Sequence, residues 1–370
     1  MEVLHAHCAG LDVHKDSVVA CARNMVDGKI TTAVKTFKTT TQELMALSGW
    51  LSSEGATHIA MEATGVYWKP VWHILSDGEF ELVLANAAHV KNVPGRKTDV
   101  NDAAWLADLM AHGMIKASFV PDEPTQQMRD LLRTRKQIVR ERSSHIQRIQ
   151  KTLEDANLKL DSAVSDILGL SGRRIIEALV AGQNVPQALA TLAHRSIKAT
   201  TSELEASLHG RVTRHHRFLL KLHLDQIDAF DATIAAIDKE VGDNVEPFRA
   251  AIEMLSAIPG VGELSATVIV SEIGIDMSRF ETAGYLSRTK GVYLQSQYLH
   301  LRSRRGAKKA VCAVAASILT AAYHMLKYGT LYQDLGASYF DNRAKHKQAL
   351  CLISRLKNLG FEVQINPMAA

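Results

Sequence analysis

Four carboxylates in the N-terminal third of the chain have a spacing that suits chemistry. Asp12 lies in the segment GLDVHK, and Glu62 ends the apolar run HIAME. Asp99 and Asp102 are three residues apart, which puts both carboxylates on one face of a helix. Four carboxylates gathered in one place repel each other unless a cation neutralises them. Oxygen ligands suit hard divalent cations, above all Mg²⁺, and a pair of such ions can hold a phosphodiester and activate the attacking oxygen.

Each acid taken alone has a simpler interpretation as a solvated surface charge. For Asp99 and Asp102, a metal-binding role and a favourable charge in the first turn of a helix are equally good interpretations. The metal site therefore depends on whether the fold brings the four acids together. Lys97 and Arg96 directly precede Asp99 and could bind a phosphate beside such a site.

Residues 7–118 have the pattern of an α/β domain. Apolar runs predict strands, and amphipathic runs that follow threonine caps predict helices. The predicted elements are a hairpin over 7–23, strands over 30–38, 57–62 and 80–85, and helices over 41–53, 66–75 and 99–112. Helices between strands imply right-handed crossovers onto one mixed sheet. This order fits an RNase H-like fold, in which the first strand, the fourth strand and the last helix meet at one edge.

The composition indicates a folded chain with more than one domain. Of its 370 residues 46% are hydrophobic and 22% charged, and the net charge is +4. This length predicts two or three domains, and so small a charge does not by itself indicate a nucleic-acid partner. The four cysteines form no CxxC pair, which excludes zinc-ribbon and thioredoxin-type sites. The N-terminus lacks a signal-peptide pattern and no apolar stretch is long enough to span a bilayer, so we expect a soluble cytoplasmic protein.

Residues 122–256 are rich in helix formers and carry two heptad repeats. Apolar residues recur every seven positions at Leu132, Val139, Ile146, Leu153 and Leu160, and again at Leu220, Ile227, Ile234 and Val241. Arg135 and Arg142 follow the first series three residues later, so that seam is apolar only towards its C-terminal end. The pattern predicts coiled-coil helices that pack on each other or on a second subunit. An ordinary helical bundle is an equal alternative.

The first of these helices is also strongly basic. Between residues 129 and 151, eight basic residues stand against two acids. Such a helix can line a phosphate backbone and gain affinity from the release of counterions, and Arg135 and Arg142 are its candidate contacts. A solvated basic face is the plainer alternative.

Residues 257–366 form a third region that opens with the sequence AIPGVG. Gly260 and Gly262 in this segment predict a helix-hairpin-helix, because glycines let the turn approach a phosphate and the next helix offers free N–H groups. Hairpins of this kind bind the DNA backbone without reading base sequence. A tight turn between two packed helices is the alternative.

Three motifs make the chain resemble a known family. The segments GLDVHKDS, MEATGVYW and NVPGRKTDVNDAAWLADL resemble the DEDD transposases of IS-110 type insertion sequences and the related Piv-type DNA invertases. The resemblance covers nearly the whole chain. It implies a RuvC-like, RNase H-like catalytic domain over 1–118, a helical coiled-coil region over 122–256, and a C-terminal transposase domain over 257–366 that begins with the helix-hairpin-helix.

The resemblance also implies an activity, which is Mg²⁺-dependent cleavage and exchange of DNA strands at the ends of an insertion sequence. The four acids of the family fall on Asp12, Glu62, Asp99 and Asp102, which would bind two Mg²⁺ ions. Arg304 and Arg305, in the segment LRSRRGAKK, and Lys97 are further expected phosphate contacts. Family members assemble as dimers or tetramers, and some use a structured RNA from their own element. DNA and further copies of the chain are therefore the expected partners, a guide RNA stays open, and no membrane is expected.

One part of the family pattern is missing from this chain. The C-terminal domain of the family carries a serine in a small Ser-Gly type motif, and that serine looks to be the nucleophile. Here the segment that starts at Phe280 passes directly to Ser287, and neither Ser287 nor Ser303 has the glycine-flanked context. We therefore assign the nucleophile to no residue. Two alternatives stay open, a catalytically impaired nucleic-acid-binding derivative and a Mg²⁺-dependent nuclease or junction resolvase that needs only the acids.

Overall fold

The computed structural model divides the chain into two compact units, Met1–Val120 and Pro121–Ala370. The residues that the structure describes are 3–63, 65–87, 90, 92–93, 102–194, 197, 199–258, 260–279, 306–332, 353, 356 and 358. The division into three domains at 1–118, 122–256 and 257–366 stays a prediction.

A five-stranded mixed sheet forms the centre of the first unit. Its strands are β1 (His7–Val13), β2 (Ser17–Val26), β3 (Lys29–Lys38), β4 (His58–Glu62) and β5 (Glu81–Ala85). They lie in the order β3-β2-β1-β4-β5. The first three strands pair antiparallel, whereas β1 pairs with β4 and β4 with β5 in parallel. This mixed α/β sheet is compatible with the predicted RNase H-like fold.

Helices cover both faces of the sheet. Helices α1 (Thr41–Ser53) and α2 (Trp68–Ser76) lie on one face and α3 (Asp102–Ala111) on the other. Alternate residues of β1 serve the two faces, because side chains of a strand point in opposite directions in turn. Leu11 belongs to the core under α1 and α2, whereas Cys8 belongs to a cluster with Ala111 of α3.

Two long helices organise the second unit. Helix α4 (Glu123–Asp155) has 33 residues and helix α9 (Arg214–Asp243) has 30. Between them lie four short helices, α5 (Leu160–Ala163), α6 (Leu170–Val180), α7 (Pro186–Ala190) and α8 (Thr201–Ser207). The tip of the long pair and these short helices share one hydrophobic core, which includes Ile149, Ile175 and Leu220.

The long helices run antiparallel in a single register. Arg135 forms an ion pair with Asp238, and Arg142 forms one with Asp231. A step of seven residues up α4 is thus matched by a step of seven residues down α9. The packed pair agrees with helices that contact each other along a seam, and its description as a coiled coil stays a prediction.

Three more helices build the base of the second unit. They are α10 (Arg249–Ser256), α11 (Glu263–Ile273) and α12 (Ala307–Tyr328), with short 3₁₀ turns at Glu246–Phe248 and Met277–Arg279. Their shared core includes Met128, Leu255 and Val270. The turn from α10 to α11 passes through Gly260, whose φ of 85° favours glycine. The helix-hairpin-helix assignment of this turn stays a prediction.

Helix α12 is long and rich in apolar residues. Within the described part of the chain, it is the one helix long and apolar enough to cross a membrane by length and composition. Val314, Ile318 and Ala322 of this helix are buried in the core that it shares with α10 and α11. Packing inside the protein therefore accounts for its apolar residues.

Candidate active site

Two of the four predicted acids end neighbouring parallel strands. Leu11 of β1 is paired with Met61 of β4, so Asp12 and Glu62 are the next residues on each strand. Adjacent strands are about 4.8 Å apart, which places the two backbones side by side at the carboxyl end of the strands. The parallel pairing of β1 with β4 thus brings together two acids that are fifty residues apart in the chain.

Helix α3 lies unusually close to β1 because Gly10 has no side chain. A Cβ atom built at Gly10 would be 2.1 Å from the carbonyl oxygen of Ala103 and 2.4 Å from the backbone nitrogen of Ala107. Either distance is far too short for a real Cβ contact. The helix can therefore pack this closely against the strand only because residue 10 is glycine.

The direction of α3 carries its first residue towards the two acids. Cys8 donates a hydrogen bond from Sγ to the carbonyl oxygen of Ala107 at 3.4 Å, whereas Gly10 lies against Ala103 as well. The strand and the helix therefore run in opposite directions. Continuing along β1 from Gly10 to Asp12 leads towards the N-terminal end of α3, which begins at Asp102. Asp12 also shares its face of β1 with Cys8 and Gly10, which is the face that α3 covers.

Glu62 points to the same side of the sheet. Ala60, two residues earlier on β4, is buried in a cluster with Met110 and Ala111 of α3. By the two-residue alternation of a strand, Glu62 also lies on the α3 face. Three elements therefore present one acid each at one end of this face.

The three acids are partly accessible to solvent. Asp12 has a side chain that is 20% exposed, and its Oδ2 lies 3.2 Å from Nε2 of His14. Glu62 and Asp102 are half-buried. His14 was not predicted as a neighbour of Asp12. The available signal was its spacing, because residues two apart in an extended chain point to the same side.

The donor set fits a hard divalent cation in chemical type. Carboxylate oxygens from separate elements are the ligands such ions prefer. Among the described residues, no three His, Cys, Asp or Glu side chains are gathered closely enough to hold an ion. Asp99, the fourth predicted acid, lies outside the described residues, as do Lys97 and Arg96.

Arg135 and Arg142 have partners other than a nucleic acid in this structure. Each guanidinium donates two hydrogen bonds to one aspartate of α9, with Nε to Oδ1 distances of 2.5 Å in both pairs. The hydrogen bond to Asp238 raises the pKa of Arg135 and lowers that of the aspartate. Their charges are therefore matched within the helix pair, and their role as phosphate contacts stays a prediction.

The opposite side of α4 carries basic residues that point to solvent. Lys136, Arg140, Arg148 and Lys151 are all exposed, and the described residues supply no ion pair to any of them. We call these four residues the outer row. Their spacings of four, eight and three residues keep them on the half of the helix that faces away from α9. The heptad positions of Arg135 and Arg142 were the signal that could have separated seam residues from this outer row.

The predicted hairpin has exposed glycines next to α11. Gly262 is the N-cap of α11, and a Cβ atom there would meet nothing within 4 Å. Gly260 is exposed as well. Both glycines are thus accessible, and their role in binding phosphate stays a prediction. Arg304, Arg305, Ser287 and Ser303 lie outside the described residues.

Comparison with known proteins gives a match to a family model. Residues 9–157 match the family model of the IS-110 type DEDD transposases, which is described as a transposase. The matched stretch includes β1 from Ala9 onwards, strands β2 to β5, and all four predicted acids. No curated protein matches the chain.

Proposed function

We propose that the chain is a DEDD transposase of the IS-110 type, whose family model matches residues 9–157, and that it cleaves and exchanges DNA strands at the ends of an insertion sequence. The observation that supports the proposal is the parallel pairing of β1 with β4, which puts Asp12 and Glu62 at neighbouring strand ends, together with the close packing at Gly10 of the helix that begins with Asp102. A phosphodiester bound there would meet acids from three separate elements.

The acids have the task of holding divalent metal close to the scissile phosphate. When bound, a pair of Mg²⁺ ions would neutralise the phosphate and polarise the oxygens that attack and leave. Asp12 and Glu62 would hold metal from the strands, and Asp102 and Asp99 from the start of α3. His14 beside Asp12 would orient that carboxylate.

Binding of DNA by the second unit is proposed to use the outer row. The four exposed cations Lys136, Arg140, Arg148 and Lys151 lie on one side of a helix that is 33 residues long. Such a row can follow a phosphate backbone and release counterions on binding. Gly260 and Gly262 would add backbone contacts at the hairpin, and assembly of several copies and a guide RNA belong to the same proposal.

A gel assay with purified protein tests the proposed activity. The protein would be mixed with Mg²⁺, labelled DNA that carries the ends of the element, and RNA transcribed from its flank. Asp12→Asn and Glu62→Gln should each abolish cleavage, because each removes a metal-binding charge. Asp16→Asn is the matched control, since Asp16 is exposed in the turn after β1 and should leave cleavage unchanged.

The products separate the proposed function from its alternatives. Cut DNA with label attached to protein would indicate a complete transposase with a serine nucleophile. Cut DNA without an adduct would indicate a nuclease or junction resolvase. Binding without cleavage would indicate an impaired derivative, and equal cleavage by Asp12→Asn and the parent would refute the acid site.

A further inference from the structure

Strand β3 is an exposed edge strand next to the candidate active site. It is last in the strand order and ten residues long. Apart from Phe37, which is buried, and Ala33, its residues are exposed. Val34 is 55% exposed, which is unusual for an apolar residue in a strand of a folded sheet.

One side of β3 continues the sheet face on which Asp12 lies. Asp12 is paired with Val19 of β2, and Val19 with Thr36 of β3. Residues paired directly across an antiparallel ladder lie on the same face, so Thr36 shares the face of Asp12. The two are two strand spacings apart, roughly 10 Å. Lys38, Val34 and Thr32 lie on the same face of β3 by alternation.

Helix α3 covers less of this face than the sheet offers. Its packing is on β1, β2 and β4. The other side of β3 has a different neighbour, because Phe37 packs into the core with Leu44 of α1. The exposed side of β3 therefore forms a shelf that leads away from Asp12, and we call Lys38, Thr36, Val34 and Thr32 the β3 shelf.

The charge of this region suits a polyanion. From Lys29 to Lys38 the strand contains three lysines and no acid; Lys38 lies on the shelf, whereas Lys29 and Lys35 lie on the other side of β3 by alternation. Within the described residues, none of the three lysines forms an ion pair with a carboxylate. Lys15 is close to Lys38, since Thr39 donates a hydrogen bond from Oγ1 to the carbonyl oxygen of Lys15 at 2.8 Å. Asp16 lies in the same turn, where its carbonyl oxygen accepts a hydrogen bond from the backbone N–H of Thr39.

We propose that the β3 shelf binds the phosphate backbone of the DNA strand that enters the acid site. The shelf presents one ammonium group and two hydroxyl groups, and both kinds of group are common phosphate contacts in protein–DNA complexes. A span of roughly 10 Å corresponds to about three nucleotide steps along a duplex axis, at 3.4 Å per step. The inference rests on the proposed function, because it assigns the path of the DNA that function requires.

A binding experiment with a matched pair of variants tests this shelf. The probe is a short fluorescent DNA duplex of arbitrary sequence, titrated without Mg²⁺ so that no cleavage is needed. Lys38→Glu should raise the Kd about fivefold or more, since a unit charge near a phosphate contributes on that order in water. The salt dependence of log Kobs should flatten by about 0.9.

Lys35→Glu is the control for charge. Lys35 is three residues from Lys38 on the opposite side of the same strand, where its ammonium lies 4.9 Å from the ring centre of Phe37. This variant should leave the salt dependence of binding unchanged. Equal losses from Lys38→Glu and Lys35→Glu would overturn the proposal, because a general electrostatic effect would then explain both. If Lys38→Glu weakened binding to an RNA duplex but left the Kd for the DNA duplex unchanged, the proposal would also be overturned.

A variant that should bind DNA more tightly provides an independent test, because tighter binding cannot result from misfolding. Val34→Lys adds a cation to the shelf and should lower the Kd about fivefold. Thr31→Lys adds the same charge on the opposite side of β3 and should have little effect. An improvement of the same size from both would refute the shelf. A chain that binds DNA in this pattern but cleaves nothing would contradict the proposed function and keep the shelf.

Discussion

Gly10 is the residue at which a single methyl group should disturb the candidate active site. An alanine Cβ at this position would be 2.1 Å from the carbonyl oxygen of Ala103, where ordinary contact begins near 3.4 Å. The backbone of β1 fixes the position of the Cβ atom and the carbonyl belongs to the backbone of α3, so neither atom can rotate away. Helix α3 must therefore move outward by about 1 Å or more, and Asp102 moves with its first turn.

Two magnitudes follow from that displacement. Overpacking of this kind costs about 1–3 kcal/mol, which lowers the melting temperature by roughly 4–12 °C in a domain of this size. A misplacement of about 1 Å in a catalytic geometry costs roughly 100-fold in rate. Gly10→Ala should thus lose far more Mg²⁺-dependent cleavage than its loss of stability explains, when both are measured well below the melting temperature.

The assay uses thermal unfolding, cleavage rate and metal affinity on the same preparations. Titration of Mg²⁺ by calorimetry should show weaker binding to Gly10→Ala, and this readout does not require cleavage. Gly49→Ala is the matched control, since Gly49 is exposed in α1 and its added Cβ would meet nothing within 4 Å. That variant should be as stable as the parent or more so. If Gly10→Ala kept the parent's metal affinity and rate, the close contact would not position Asp102.

Three further predictions concern other parts of the molecule. A double-mutant cycle on Arg142→Ala and Asp231→Ala should give a coupling of about 0.5–1 kcal/mol in stability, because the pair is partly exposed; a coupling of zero would contradict the ion pair. Arg140→Ala should lower the salt slope of DNA binding by about 0.9, whereas Arg142→Ala should not, and the reverse result would restore the seam arginines as phosphate contacts. Burial raises the pKa of Cys8 to about 11, so at neutral pH an alkylating reagent should modify the exposed Cys312 and leave Cys8 intact. Reaction at Cys8 should begin only as pH approaches that pKa and the thiolate forms, and rapid neutral labelling would show that it is not buried.

Local patterns in the sequence predicted the elements of the first unit well. The strands and helices occur in the predicted order, and the observed bounds differ from the predicted ones by no more than a few residues. This works because alternation, helical periodicity and capping threonines act over a few neighbouring residues. In the second unit, the same periodicity identified the two long helices, and their heptads contained the seven-residue spacing of Arg135 and Arg142.

The partners of those residues could not be predicted from the same patterns. The register that pairs Arg135 with Asp238 joins residues more than one hundred positions apart. A heptad shows which positions face a neighbour, yet it does not identify the neighbour. The two arginines were therefore predicted as phosphate contacts. In the structure they form ion pairs with aspartates of α9, and the outer row is exposed.

The amino-acid pattern alone identified the types of group that the protein can use, which are four acids, a basic helix and glycines at turns. Its motifs also indicated the transposase family whose model matches residues 9–157. Only the tertiary structure decided that Asp12 and Glu62 lie side by side, that Gly10 admits α3, and that one side of β3 extends the face of Asp12. The physical reason is that strand pairing and helix packing are contacts between distant segments, and their geometry depends on how the whole core closes.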